Sequence, residues 1–204
     1  MSSKSPVEET FISHLVELRD RLVKASIGIA LVFGILAMWP GPAEIYDIIA
    51  APMIAALPVG SKMIATGVIS PFLVPMKVTL LLAFMLALPW VFYQVWAFIA
   101  PGLYAHEKKL VLPLVISSSL LFVGGVAFCY FFVFGRVFAF IAGFSPESIA
   151  VTPDIENYLD FVMSMCLAFG VTFEVPVVVV ILVRMGIVTV AKLKEIRSYV
   201  IVGA

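Results

Sequence analysis

The sequence predicts an all-α fold, a polytopic bundle of helices that cross a membrane. Three observations lead there. Of 204 residues, 63% are hydrophobic and 13% charged, with a mean hydropathy of +1.15. A soluble domain carries about a quarter of charged residues, so the membrane class comes first. Four long stretches hold almost no charge, and a helix crossing about 30 Å of hydrocarbon needs about 20 such residues. The remaining charges cluster between those stretches. With 13 basic and 13 acidic residues the net charge is +0, which leaves no electrostatic footprint for a nucleic acid.

The elements follow in chain order. Residues 1–24 read as an amphipathic cytoplasmic helix at the membrane interface. Ser5 is a capping residue, Pro6 suits the first helical position and Glu8 completes a capping box. Phe11, Ile12, Leu15, Leu18 and Leu22 recur on one face, with Glu17, Asp20, Arg21 and Lys24 on the other. This helix runs into a first span at about 22–40. The charged preamble and the absence of an A-x-A site argue against a cleavable signal peptide, and its acids against a transit peptide. Between Pro40 and Lys77 lie the breakers "PGP", "LPVGS" and "SPFLVP". The stretch "AEIYDIIAAPMIAAL" among them has helical spacing, so short helices along the outer face are expected.

A second span is placed at about 78–100 and a third at 110–135. The segment from Arg136 to Asp160 reads as external, with the acids Glu147, Asp154, Glu156 and Asp160. A fourth span covers 161–183. The final "YVIVGA" starts a fifth from about 199, so the chain reads as one domain, 1–204, cut inside that helix. Pro89 and Pro176 remove donors to the carbonyls of Met85 and Thr172, and both helices are expected to bend. No internal repeat is visible, which disfavours inverted-repeat transporter folds.

Basic residues set the orientation. Lys4, Arg19, Arg21 and Lys24 precede the first span, Lys108 and Lys109 lie between the second and third, and Arg184, Lys192, Lys194 and Arg197 follow the fourth. Only Lys62, Lys77 and Arg136 fall on the other side. This asymmetry predicts a multi-pass inner-membrane protein with a cytoplasmic N-terminus.

The inventory excludes most catalysis. There is no phosphate-binding GxxxxGK[ST], no G-x-S-x-G and no intramembrane pair of aspartates. The two histidines, His14 and His106, lie in flanks without further ligands, and Cys129 and Cys166 sit far apart in apolar runs as small hydrophobes. No metal and no cofactor is expected. Glu174 is the one ionisable residue deep in a span, roughly 14 Å from one end and 20 Å from the other at about 1.5 Å per residue. Such an acid is costly unless satisfied. It either serves the bundle interior, with the Thr172 carbonyl freed by Pro176 as a candidate partner, or forms a polar docking or proton-linked site. Gln94 is interhelical glue or a functional contact. Glu17 and Glu107 are either solvated flank charges or carboxylates that hold a guanidinium in a fork lysine cannot reproduce.

The ordered segments "HLVELRDRL", "SPFLVPMK", "YQVWAFIAPGLYAHEKK", "AFGVTFEVPVVV" and "RSYVIVGA" resemble the TatC family, the receptor subunit of the twin-arginine protein translocase. The resemblance implies a six-helix, glove-like cup with both termini cytoplasmic. It implies binding of twin-arginine signal peptides of folded cargo, self-association in a receptor complex, and export with TatA- and TatB-type partners driven by the protonmotive force. It places the twin-arginine contact at Glu107 and Glu17, with Arg19 and Phe98 on the same surface. Pro52 falls on a functional external-loop position, Glu174 on the intramembrane partner-docking site and Gln94 on a matching polar position. The runner-up from another class is an ion-coupled secondary transporter using Glu174 as its proton carrier.

Overall fold

The computed structural model describes residues 6–57, 62–99, 111–144 and 152–184, together with 186, 188 and 189. Its elements are α1 (Pro6–Met38), α2 (Pro42–Ala56), α3 (Ser70–Ile99), α4 (Val111–Phe128), a π-helical segment (Cys129–Phe134), α5 (Gly135–Phe144) and α6 (Ile155–Arg184). Among the described residues, four helical stretches are long and apolar enough to cross a membrane: Ile12–Met38, Ser70–Ile99, Val111–Ile141 and Ile155–Arg184. The predicted start of a fifth span lies outside the described residues.

The first helix runs on as expected, and other helices extend beyond the predicted spans. The amphipathic segment and the first span form one uninterrupted helix, because nothing between Pro6 and Met38 breaks the backbone hydrogen bonds. The second span starts at Ser70, not Val78, since Pro71 stands in the first turn, where its missing N–H costs nothing. The third continues through the π-helical segment and past Arg136 to Phe144; Arg136 is exposed and lies on a helix, not in a loop. Pro75, Pro89 and Pro176 are accommodated inside continuous helices.

Close backbone approach at small residues holds the bundle together, as it must where lipid removes the hydrophobic drive between helices. Along α1 and α3, a Cβ on Gly28 would lie 2.4 Å from Cδ1 of Trp90. The indole occupies that notch, and its Nε1 donates to the Lys24 carbonyl at 2.9 Å. Along α4 and α6 the fit is reciprocal. A Cβ on Gly125 would meet the Phe169 carbonyl oxygen at 2.6 Å, and one on Gly170 would meet the Phe122 ring at 2.6 Å.

One end of the bundle carries a cap. Gly41, at φ 103, turns the chain between Pro40 and Pro42 so that α2 folds across that end. Proline at 52 has no N–H for the Ile48 carbonyl, and the Tyr130 hydroxyl donates to that carbonyl at 2.6 Å. One residue on, the Tyr158 hydroxyl donates to the Ile49 carbonyl at 2.8 Å. Below α2, the buried Ala50, Met53, Cys129, Phe134, Phe138, Tyr158 and Cys166 form one apolar cluster. The segment 62–69 joins the cap through a parallel bridge between Ile64 and Asp154.

Candidate functional site

At the end opposite the cap, α1 and α3 bring two of the predicted residues together. Glu17 Oε1 accepts both Nε (3.0 Å) and Nη2 (2.8 Å) of Arg21, one helical turn later. Among the described residues its other oxygen faces only the His14 Nδ1, at 3.9 Å, beyond hydrogen-bond length. The His14 ring stands edge-on to Phe98 of α3, with centroids 6.0 Å apart. Glu17, His14 and Phe98 thus form one continuous surface across the two helices. Arg19 leaves it: two positions along the helix from Glu17, it pairs with Asp20 at 2.8 Å. It borders instead an open apolar groove of about 570 Å³ with Leu15, Leu18, Leu22 and Ile27. Glu107 lies outside the described residues.

The ion pair is modest. The side chains of Glu17 and Arg21 are 33% and 24% exposed, and such i,i+4 pairs contribute about 0.3–0.5 kcal/mol. Geometrically, though, the carboxylate already holds a guanidinium through two of its nitrogens. Among the described residues its second oxygen is not taken up by a hydrogen bond.

Glu174 sits one turn beyond Gly170 on α6 and turns toward α4. Only 9% of it is exposed. The Ser118 hydroxyl and the Phe122 backbone are the polar groups that face it, while Oε1 is buried without a hydrogen-bond partner among the described residues. Ser118, itself fully buried, accepts the Trp96 indole N–H at 3.3 Å, so α3, α4 and α6 meet at this carboxylate. No hydrogen bond between Glu174 and the Thr172 carbonyl is present among the described residues. Thr172 lies on the exposed side of the helix, its hydroxyl donating back to Ala168 at 2.7 Å, because two residues of helix turn the side chains about 200° apart. Gln94 is buried at 4% exposure on α3 and makes no hydrogen bond to Glu174 among the described residues. Pro52 is half-buried in α2, where it leaves the Ile48 carbonyl for Tyr130.

Sequence reasoning missed several residues. Ser118 carries no charge and sits in an apolar run, so nothing marked its contact with Trp96. Asp154 was grouped with other external acids, yet both its oxygens are structural. Oδ1 accepts the backbone N–H groups of Glu156 and Asn157 at 3.0 and 3.1 Å and caps α6. Oδ2 accepts the Thr66 hydroxyl at 2.7 Å and its N–H at 3.0 Å. The Thr66 hydroxyl, then the Asn157 and Thr66 backbone N–H groups, hold the Asp154 carboxyl below its usual 3.8. Asp-x-x-Asn ahead of an apolar run was a readable capping signal. The two thiols, distant in sequence, lie in one buried cluster where the π-helical segment meets α6. Among the described residues no group of three or more His, Cys, Asp or Glu could hold a metal ion.

These features define a multi-pass helical membrane protein with a carboxylate-bearing surface at one end and a buried acid between helices. The family model of the Sec-independent protein translocase protein (TatC) matches residues 13–204. A TatC of Azotobacter chroococcum mcd 1 is 51% identical over 192 residues, covering 94% of this chain and 74% of the relative. The TatC of Escherichia coli (strain K12) is 50% identical over 200 residues, covering 97% and 77%. A crystal structure of the twin-arginine translocase receptor TatC superposes with a TM-score of 0.79 at 35% identity, covering 94% of this chain and 83% of that one. A second, in DDM, gives 0.78 at 32% identity, covering 93% and 84%. The chain belongs to the TatC family of Sec-independent protein translocase proteins.

Proposed function

We propose that this chain is the receptor and core subunit of a twin-arginine translocase. It binds twin-arginine signal peptides of folded cargo at the end carrying Glu17, and that end and the N-terminus face the cytoplasm from the cell inner membrane. Export proceeds with TatA- and TatB-type partners and further copies of the receptor, using the protonmotive force. No residue is assigned a catalytic role.

The observation that carries the reading is the state of Glu17. Its Oε1 grips the guanidinium of Arg21, while Oε2, beside His14 and Phe98, has no hydrogen bond among the described residues. A carboxylate so arranged accepts a second guanidinium without a new conformation, and Phe98 offers an apolar edge for the flanking peptide. Glu107, the matching acid of "YAHEKK", takes the other arginine, and Arg19 serves the same surface from its neighbouring face. Glu174 docks a partner helix through its unsatisfied Oε1, with Gln94 as a further polar contact, while Pro52 fixes the cap that external partners meet. The TatC relatives and the receptor structures favour this reading over an ion-coupled transporter.

Titration of the purified full-length protein in detergent with arginine and lysine versions of one signal peptide tests it. Arginine should be preferred in the parent, and the preference should vanish when Glu17 and Glu107 are both replaced by Ala. Equal binding of both peptides by the parent rules the reading out.

A further inference from the structure

Where α1, α3 and α6 meet, an apolar groove of about 410 Å³ runs down the side of the bundle. Its size falls within the range of about 300–1,000 Å³ typical of small-ligand sites. Ile29, Leu80, Phe84, Met163 and Leu167 line it, and Lys77 is the one charged residue among the described residues that do. Phe84 lies seven residues below Lys77 on α3, roughly 10 Å at about 1.5 Å per residue. The groove therefore passes from a charged mouth into the hydrocarbon region. At that mouth Lys77 Nζ stands 3.5 Å from Glu156 Oε1, with the two side chains 42% and 43% exposed. Glu156 belongs to the first turn of α6, at headgroup level, and its Oε2 accepts the Ser70 hydroxyl at 2.8 Å.

We propose that this groove holds one phospholipid with a phosphoethanolamine headgroup, from the leaflet on the cap side. One acyl chain lies along Leu80, Phe84 and Leu167, the phosphodiester meets Lys77 and the primary ammonium meets Glu156. Complementarity selects the headgroup. The ion pair presents a cation and an anion side by side, and phosphoethanolamine carries the same two charges in reverse order. An anionic glycerol headgroup would gain Lys77 but face the Glu156 carboxylate with nothing to neutralise it. A choline headgroup has no N–H to donate to that carboxylate, and charge-assisted hydrogen bonds are the strong ones. The Lys77–Glu156 pair is long and half-exposed, so its opening costs the fold little. This inference rests on the membrane fold alone, not on the receptor reading.

The test exchanges the full-length protein in detergent against an equimolar mixture of phosphatidylethanolamine, phosphatidylglycerol and phosphatidylcholine, with bound lipid read by native mass spectrometry. The parent should retain phosphatidylethanolamine several-fold above the other two. Lys77→Gln should lower retention of all three several-fold, as should Leu80→Trp, which fills the groove. Glu156→Gln should keep lipid bound but erase the preference for ethanolamine. Equal retention of the three lipids by the parent, a preference for phosphatidylglycerol, or retention unchanged in Lys77→Gln overturns the proposal.

Discussion

Glu17 and Asp154 show how single carboxylates divide labour between fold and ligand. Among the described residues, Asp154 spends both oxygens on the protein's own donors, whereas Glu17 spends one. Hydrogen bonds to charged groups contribute about 1.5–3 kcal/mol, so Glu17→Ala should weaken binding of an arginine peptide roughly ten- to a hundred-fold. Arg21→Ala should change it by less than about threefold, since an i,i+4 pair is worth about 0.3–0.5 kcal/mol. Peptide titration of the two variants decides it, and equal losses would mean that the pair acts only as one structural unit. Asp154 predicts a pH effect instead. Its folded-state carboxyl titrates below the usual 3.8, so its contribution is fully present above that value and is lost as pH falls from there through the depressed one. Asp154→Asn still caps α6 but cannot titrate. Between pH 7 and 3, its melting temperature in detergent should fall less than the parent's; parallel curves would remove Asp154 from the account. Part of this was legible in the sequence. The Glu17–Arg21 spacing announces an internal i,i+4 ion pair. The lone oxygen left over could not be read, because it depends on which rotamers a neighbouring helix permits.

At the level of elements, the four apolar stretches specified helices. Hydrocarbon admits only helices and closed barrels, and runs of about 20 apolar residues are too long for barrel strands. The order and approximate place of the helices followed from charge alone. Their ends did not. Ser70 and Phe144 bound helices that extend past charged residues, since Lys77 and Arg136 carry long stems that deliver their charge away from the backbone. Nor could hydropathy reveal which faces meet, because lipid-facing and partner-facing positions are equally apolar; Gly28, Gly125 and Gly170 are recognised only once their neighbours are known. Glycine to alanine inside a helix ordinarily stabilises by about 0.5–1 kcal/mol. Gly34, with nothing within 4 Å of an added Cβ, should follow that rule. Gly28→Ala should reverse it, because the new methyl displaces Trp90 and breaks its 2.9 Å bond to the Lys24 carbonyl. Melting temperatures of the two variants in detergent make the comparison, and a stabilised Gly28→Ala protein would show that α1 and α3 are not seated as described.

On the scale of the whole molecule, the two ends differ in kind. The cap is knit by Tyr130, Tyr158, Asp154 and the Ile64 bridge, while the opposite end presents Glu17, His14 and Phe98 on an open surface. Glu174 lies between them, roughly 14 Å from the end of its span at about 1.5 Å per residue, too deep for a ligand held at the Glu17 surface. Capture and partner docking should therefore separate. Glu174→Ala should keep parental affinity for an arginine peptide while disturbing assembly with partner subunits. Glu174→Gln, which still offers an oxygen toward Ser118, should disturb it less. Crosslinking of partners to α6 and peptide titration of the same purified protein supply the two readouts. The separation has a premise of its own, that the Glu17 end faces the cytoplasm. The charge pattern of the sequence assigns ten of the 13 basic residues to the side predicted to be cytoplasmic, and the positive-inside rule turns that bias into an orientation. A reporter active only outside the cytoplasm should therefore light up when fused near Lys62 or Ser148, and stay dark near His106 or Leu193. The inverse pattern would put Glu17 beyond the reach of any newly made cargo, and the assignment of that carboxylate to the signal peptide would fall with it.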